Sequence, residues 1–226
     1  MLEKRASHWP VDKIIGHKGF YKYEFMVTTD VLSPRADTEI LVEKALDYLK
    51  KLNMPKIFEF GVGSGCILLS LLADSPKAFG FGLDVSEKAV KVALHNAELL
   101  GVTSRCRLFC GSWFDEQFLR ERALGSMDMI VANPPYITTS EIATLEPEVK
   151  NFDPLIALDG GEDGLRDYNQ IFKLASEMLK KEGIILVEIG ENQTNSVISI
   201  AEKYHFGVSE IVQDLAKTNR CIIFKK

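Results

Sequence analysis

Short runs of β-branched and aromatic residues alternate with amphipathic helical stretches along most of this sequence, and no other feature constrains the fold as strongly. Some runs, such as residues 130–132 and 184–187, are apolar at every position, which is expected of strands covered on both faces. The alternation predicts an α/β fold with a seven-stranded, mostly parallel sheet and helices on both faces. The predicted strands are residues 56–62, 78–85, 107–111, 127–132, 183–189, 208–213 and 220–224.

Helical periodicity is clear between these strands. We expect two helices to bury one apolar stripe each, because the apolar positions recur every three to four residues. The first stripe is Val90, Ala93, Leu94, Ala97 and Leu100, and the second is Tyr168, Ile171, Phe172, Ala175, Met178 and Leu179.

Two regions depart from the alternation. Residues 19–31 are rich in aromatic and β-branched side chains and predict a β-hairpin, followed by a helix with the stripe Leu41, Ala45, Tyr48, Leu49 and Leu52. Residues 137–165 lack a regular pattern, and a structureless stretch of that length after a strand end is typical of a lid or binding loop.

Length and charge limit the function. The 226 residues predict one domain or one domain with a small appendage, and the net charge of −5 disfavours a protein that grips a phosphate backbone. No apolar run is long enough to cross a bilayer, the N terminus has no signal-peptide pattern, and the four cysteines form no CxxC pair, so we expect a cytoplasmic protein without membrane contact. His8, His17 and His205 have no ligand-like spacing, so no metal site is predicted.

A glycine-rich turn follows the first strand of the sheet. It comprises Gly61, Val62, Gly63, Ser64 and Gly65, here called the glycine loop. Glycines allow a tight turn and close approach of a ligand to the backbone, although a purely structural turn would look the same. Asp84 ends the next strand, where a carboxylate accepts hydrogen bonds from both hydroxyls of a ribose; capping of the following helix is the alternative.

Asn133, Pro134, Pro135 and Tyr136, the NPPY motif, follow the strand over residues 127–132. An amide or exocyclic amine is a poor nucleophile because its lone pair is delocalised. Acceptance of both N–H groups, by the Asn133 side-chain oxygen and the Pro134 carbonyl, favours a pyramidal nitrogen whose lone pair is aimed at a methyl donor. The prolines hold the acceptors rigidly, and Tyr136 offers a face for stacking. The motif thus predicts methylation of a planar nitrogen.

The GxGxG spacing of the glycine loop resembles the first motif of class I S-adenosylmethionine-dependent methyltransferases, which implies a Rossmann-like fold. A dinucleotide site would instead have GxGxxG, which argues against a nicotinamide dehydrogenase. From about residue 10 to 224 the sequence resembles the HemK/PrmC family, which methylates the glutamine amide in the Gly-Gly-Gln motif of peptide-chain release factors. The shared stretches are VDKIIGHKGF (11–20), LSPRADTE (32–39), the glycine loop with Asp84, GSWF (111–114), NPPY, residues 148–153, ALDGGEDGL (157–165), and EIG (188–190) with Gln193.

The resemblance implies site roles. Residues 61–65 would cradle the methionine part of S-adenosyl-L-methionine, Asp84 would take its ribose, and Trp113 would lie beside the adenine, with a core position as the alternative for Trp113. The NPPY motif would receive the glutamine, and Arg35 would help to close the site, with a solvated surface charge as its alternative reading. Glu59 replaces the aspartate more usual at its position, and Glu188 is assigned no catalytic role.

Two other functions remain open at this stage. An adenine N6-methyltransferase would use the same NPPY geometry on a flipped base, but an acidic chain is poorly suited to a duplex. A cofactor-binding, ribosome-associated factor without catalysis would not need Asn and Tyr together. Family members normally carry a small helical domain ahead of the hairpin. We therefore expect residues 1–35 to be an N-terminal segment with the hairpin, a remnant of the linker to that domain, and residues 36–226 to be the catalytic domain.

Overall fold

The computed structural model describes residues 1–115 and 126–226. Seven strands form one sheet, and two further strands form a separate hairpin. The hairpin strands are β1 (His17–Phe20) and β2 (Tyr23–Met26). The sheet strands are β3 (Lys56–Phe60), β4 (Phe79–Asp84), β5 (Cys106–Cys110), β6 (Met127–Ala132), β7 (Leu179–Glu188), β8 (Gly207–Gln213) and β9 (Asn219–Lys225).

The sheet order is β5-β4-β3-β6-β7-β9-β8, which confirms the seven-stranded, mostly parallel sheet. Strands β3 to β7 run parallel, and β9 runs antiparallel to both β7 and β8. The chain builds outward from β3 through β4 to β5 and then continues on the other side of β3 with β6. This reversal opens a crevice at the carboxyl ends of β3 and β6, where open α/β sheets bind their ligands.

Helices cover both faces of the sheet. Alternate strand residues enter two separate apolar clusters: Ile57 and Met129 lie in one, and Phe58 and Ile130 in the other. Because the central strands β3 and β6 bury both of their faces, their sequences are mostly apolar. The helices are α1 (Leu2–Ala6), α2 (Val11–Ile15), α3 (Glu39–Leu49), α4 (Cys66–Asp74), α5 (Glu87–Leu99), α6 (Pro147–Lys150), α7 (Arg166–Met178) and α8 (Thr194–Lys203).

The hairpin lies earlier than the sequence predicted. It spans residues 17–26 rather than 19–31. Val27 and Val31 lie beyond the end of β2 and are buried against Ala89 and Val92 of α5. Their apolar character serves packing, which a local pattern cannot distinguish from strand pairing.

Residues 137–165 are folded and not structureless. They contain α6 and short 3-10 turns at Glu141–Thr144 and Leu155–Ala157. A β-bridge joins Ile137 to Asp159 near the two ends of the segment. Local hydrogen bonds satisfy its backbone, so the missing periodicity reflects short turns and not the absence of structure.

Within the described ranges, no helix combines the length and the apolar character needed to span a bilayer.

Candidate active site

The glycine loop joins β3 to α4 and turns sharply. Gly61, Gly63 and Gly65 all have positive φ, at +72°, +55° and +82°, a region that favours glycine. A Cβ on Gly65 would lie 2.6 Å from Cδ1 of Leu69, so this glycine also lets α4 begin. A Cβ on Gly63 would meet nothing within 4 Å, which leaves the middle of the loop open toward a ligand.

Asp84 ends β4 beside this loop. Its Oδ2 accepts a hydrogen bond from the Gly63 N–H at 2.8 Å, and its Oδ1 accepts one from the Ser86 N–H at 2.9 Å. Burial raises the pKa of this carboxyl, while both N–H groups act in the opposite direction. The cap of α5 is the Ser86 hydroxyl, which accepts from the Ala89 N–H. Asp84 is therefore not the helix cap that the sequence left as an alternative.

Two buried polar side chains, Glu59 and Asn96, stabilise the backbone at and next to the glycine loop. Glu59 accepts a hydrogen bond from the Leu68 N–H at 3.1 Å, and burial raises its pKa well above the ordinary value. Asn96 of α5 donates to the Ser64 carbonyl at 2.8 Å and pairs with both backbone groups of Met26. Glu59 thus links β3 to α4 on either side of the loop, and Asn96 links the loop to α5 and the end of β2. Sequence reasoning missed Asn96, whose only signal was a polar residue within the apolar stripe of α5.

One cavity of about 200 Å³ lies at the carboxyl ends of the central strands. Segment 137–165 contributes Pro154, Ile156 and Ala157 to its wall. The cavity wall contains six of the predicted site residues, namely Gly61, Gly63, Asp84, Trp113, Asn133 and Pro135. The other predicted residues lie outside the cavity wall: Val62, Ser64, Gly65, Pro134, Tyr136 and Arg35.

Trp113 forms part of this wall and also packs against the core. Its indole N–H donates to Asp167 Oδ1 at 3.1 Å, and its ring meets Phe60 edge-on with 6.4 Å between centroids. Its backbone carbonyl accepts from the Gln170 side chain. Trp113 is thus a core aromatic that also lines the cavity, and its place beside the adenine stays a prediction.

The NPPY backbone is clamped by the segment that follows it. A Cβ on Gly160 would lie 2.6 Å from the Pro135 carbonyl oxygen, and one on Gly164 would lie 2.4 Å from that of Tyr136. Gln193 donates to the Tyr136 carbonyl at 2.9 Å. These glycines allow a close approach of two backbones, which explains their spacing in the ALDGGEDGL stretch.

Asn133 belongs to a hydrogen-bonded chain at the end of β6. Its Nδ2 donates to Thr38 Oγ1 at 3.3 Å, and Thr38 donates to Glu188 Oε2 at 2.6 Å. The Tyr136 hydroxyl lies 3.5 Å from Glu188 Oε1. Burial raises the pKa of Glu188 to about 7, and the Asp37 charge acts in the same direction. Sequence reasoning did not connect Thr38 and Glu188 to the site.

Arg35 pairs with Asp153 of segment 137–165, with 2.8 Å between Nη2 and Oδ2. Asp153 also pairs with the buried Lys13 of α2. Arg35 lines a broad groove of about 800 Å³ with residues of α2, β1 and α6. The role of Arg35 in closing the site stays a prediction.

The residues present fit S-adenosylmethionine. The Asp84 carboxylate would supply an acceptor for ribose hydroxyls, and the glycine loop leaves open space at Gly63, where a Cβ would otherwise project. Val85, Phe114 and Ala89 add apolar wall suited to a flat base.

Comparisons with known proteins agree with this fit. Residues 53–221 match a family described as a methyltransferase domain. A release factor glutamine methyltransferase from Rhodospirillum rubrum is 41% identical over 226 residues, which cover 100% of this chain and 67% of that protein. One from Thermodesulfovibrio yellowstonii is 40% identical over 228 residues, covering 100% of this chain and 80% of that protein. The solved structure of a release factor-specific protein-(glutamine-N5) methyltransferase from Alicyclobacillus acidocaldarius shares 26% identity and a TM-score of 0.53, covering 85% of this chain and 93% of that one.

The sheet order and the crevice between the glycine loop and the NPPY motif define a class I S-adenosylmethionine-dependent methyltransferase. Matches that cover all of this chain at about 40% identity narrow the class to one family. The chain belongs to the release factor glutamine methyltransferase family.

Proposed function

We propose that this enzyme transfers a methyl group from S-adenosylmethionine to the side-chain amide nitrogen of the glutamine in the Gly-Gly-Gln motif of peptide-chain release factors. The observation that carries this proposal is a pair of acceptors beside the cofactor cavity. No described residue donates a hydrogen bond to the Asn133 Oδ1 or to the Pro134 carbonyl oxygen. Both acceptors are therefore available to the two N–H bonds of a glutamine amide.

The chemistry depends on orientation. S-adenosylmethionine supplies an electrophilic methyl group when it is bound. Asn133 Oδ1 and the Pro134 carbonyl accept the two amide N–H bonds and favour a pyramidal nitrogen with its lone pair toward the cavity. Because Gly160 and Gly164 hold the NPPY backbone closely, these acceptors are positioned before substrate arrives, which lowers the barrier. The proton leaves after methylation, so no general base is required.

The cofactor contacts follow from the cavity wall. Gly61, Gly63 and the backbone of Val62, Ser64 and Gly65 would receive the methionine part. Asp84 would accept hydrogen bonds from the ribose hydroxyls, and Trp113 would lie beside the adenine.

The remaining predicted residues would contact the release factor. Pro135 forms part of the cavity wall, and Tyr136 would stack on the flat amide. Arg35 would approach the substrate from its groove, where its side chain is 41% exposed. A protein substrate agrees with the net charge of −5, and we propose no direct nucleic-acid contact. Because release factors act in translation, the proposed compartment is the cytoplasm.

The test is incubation with methyl-labelled S-adenosylmethionine and either a release factor or an adenine-containing oligonucleotide. We expect label in the release factor, and we expect it to disappear when the target glutamine is replaced by alanine. Label in the oligonucleotide alone would overturn the proposal in favour of adenine N6 methylation.

A further inference from the structure

The Asn133 side chain could present either its oxygen or its NH₂ group to the cavity, and only the oxygen can accept an amide N–H. Its NH₂ group donates to Thr38 Oγ1 at 3.3 Å. Thr38 in turn donates to Glu188 Oε2 at 2.6 Å. Thr38 is 2% exposed and Glu188 is 3% exposed, so water does not compete for these bonds.

The direction of these hydrogen bonds follows from which atoms can donate and which can only accept. At pH 8, above the pKa of about 7, Glu188 is ionised and its carboxylate only accepts, so the single hydroxyl proton of Thr38 points at Glu188. The Thr38 oxygen must then accept from its other neighbour. Only the NH₂ group of Asn133 can donate there, and the Asn133 oxygen is left for the cavity.

Contacts with Tyr168, with β6 and with Tyr136 fix the position of Glu188. Its backbone carbonyl accepts from the Tyr168 hydroxyl of α7 at 2.8 Å, and it ends β7 beside β6. Its second carboxylate oxygen faces the Tyr136 hydroxyl. The Asp37 charge raises the pKa of Glu188 and the Arg220 charge lowers it, while Glu188 itself raises the pKa of the nearby Cys66 and Cys221 thiols. The Glu188 carboxylate, which is the last acceptor in this series of hydrogen bonds, is therefore fixed in place.

We propose that Thr38 and Glu188 are positioning residues that hold the Asn133 oxygen toward the cavity, so that the site accepts a glutamine amide and rejects a glutamate carboxylate. This inference rests on the proposed function. A carboxylate has no N–H to offer, and it would meet the Asn133 oxygen, the Pro134 carbonyl and the nearby charge of Glu188. Without the Thr38 hydroxyl, Asn133 can turn its NH₂ group into the cavity, and the discrimination weakens.

The first test is a double-mutant cycle at pH 8, with saturating cofactor and a release factor as substrate. Asn133→Ala is expected to lower kcat by about 10² to 10³, as for the loss of one preorganised polar contact. Thr38→Val keeps the side-chain shape but removes the hydroxyl, and we expect kcat to fall at least about tenfold. Thr38→Ser keeps the hydroxyl and should stay within about threefold of the parent.

The cycle separates positioning from a general structural role. In the Asn133→Ala background, Thr38→Val should cause no further loss, because there is no side-chain amide left to orient. A full additional loss in that background would overturn the proposal, and so would a Thr38→Val enzyme with the parent kcat. If Thr38→Val no longer binds S-adenosylmethionine, Thr38→Ala, which leaves room for water to serve Glu188, takes its place in the same cycle.

The second test measures selectivity directly. A release factor carrying glutamate in place of the target glutamine serves as a competitor, and its inhibition constant is compared with the KM of the glutamine form. We expect Thr38→Val to lower the preference for glutamine about tenfold or more, since one hydrogen-bond contrast is worth about 1.4 kcal/mol or more. An unchanged preference would contradict the proposal.

The matched control is Thr194→Val at the start of α8. Thr194 also accepts a hydrogen bond from an asparagine amide, that of Asn219, at 3.0 Å. Thr194→Val should leave both kcat and the preference for glutamine at the parent values. Absence of transfer by the parent enzyme would overturn the proposed function, whereas an active parent with an additive cycle would overturn only the positioning proposal.

Discussion

At the residue scale, the single side chain of Asp84 serves both the local structure and the candidate site. Its carboxylate organises the glycine loop through Gly63 and the start of α5 through Ser86, and it still faces the cavity. A carboxylate oxygen has more than one acceptor site, so these bonds leave capacity for ribose hydroxyls.

Asp84→Ala should weaken S-adenosylmethionine binding before it affects transfer. Loss of a hydrogen bond to a charged group corresponds to about a 10- to 100-fold higher dissociation constant. Isothermal titration calorimetry measures it. Asp128→Ala is the matched control. Asp128 also accepts from a backbone N–H, that of Lys56, but at the amino-terminal ends of the strands, away from the cavity. Unchanged affinity in Asp84→Ala would remove the ribose assignment.

Glu188 makes stability depend on pH. Its pKa in the folded protein is about 7, above the ordinary value of 4.5, chiefly because it is buried. Between these two values the folded chain holds a proton that the unfolded chain has released. The free energy of unfolding therefore receives a contribution from Glu188 that falls as pH rises from 4.5 to 7 and is lost above 7.

Glu188→Gln should remove this contribution. The difference in unfolding free energy between parent and variant should shrink, or change sign, by about 3 kcal/mol from pH 4.5 to 7. Urea denaturation at several pH values measures it. Glu182→Gln, on the exposed part of the same strand, controls for loss of a carboxylate. A pH-independent difference between parent and Glu188→Gln would contradict the assignment.

At the scale of elements, the NPPY motif is held by residues 157–165 and not by β6 alone. Gly160 donates its N–H to the Ile137 carbonyl at 2.8 Å, directly after the motif. The close approach at Gly160 and Gly164 leaves no room for a Cβ. The glycines therefore determine where the backbone of Pro135 and Tyr136 lies, next to the proposed acceptors of Asn133 and Pro134.

Gly160→Ala should push Pro135 away and lower kcat by about 10²-fold, since a displacement of about 1 Å at a positioned group has that effect. Overpacking should also cost about 1–3 kcal/mol of stability. Labelled-methyl transfer and urea denaturation test both effects. Gly207→Ala in β8 is the control, because a Cβ there meets nothing within 4 Å. Equal effects of the two variants would contradict the role given to Gly160.

At the scale of the whole molecule, the N-terminal segment is tied to segment 137–165. Lys13 of α2 donates to the Val31 and Phe152 carbonyls and pairs with Asp153. The side chains of Lys13 and Asp153 are 0% and 2% exposed. The hairpin adds Phe20 and Phe25 to the same apolar cluster as α3 and α4. Residues far apart in sequence thus stabilise one another.

Lys13→Met keeps most of the side-chain volume but leaves the buried Asp153 with Arg35 as its remaining cationic partner. The free energy of unfolding should fall by about 3 kcal/mol, since breaking a buried pair is costly. Lys50→Met removes an exposed pair with Asp47 and should cost less than about 1 kcal/mol. Urea denaturation measures the unfolding free energy of both variants. A similar small loss of stability in both would contradict a stabilising role for the buried Lys13–Asp153 pair.

Sequence periodicity predicted the sheet closely. The bounds of β6 agree in full, and those of β4 and β9 agree within one residue at each end. β7 begins four residues earlier than predicted, at Leu179, because Leu179 pairs with Met127 while residues 180–182 are exposed. Leu94 was predicted on the buried face of α5 and is 42% exposed, whereas the polar Asn96 is buried there.

The sequence by itself determined the α/β fold, the crevice and the motifs that line it, because periodicity and turn residues act over a few neighbouring positions. Tertiary structure alone decided which distant side chains meet. Thr38 and Glu188 are 150 residues apart and meet because β7 lies beside β6 and Thr38, just before α3, contacts both Glu188 at the end of β7 and Asn133 after β6. Lys13 and Asp153 meet across 140 residues for the same kind of reason. Hydrogen-bond partners depend on the packing of whole elements, and no local pattern encodes that packing.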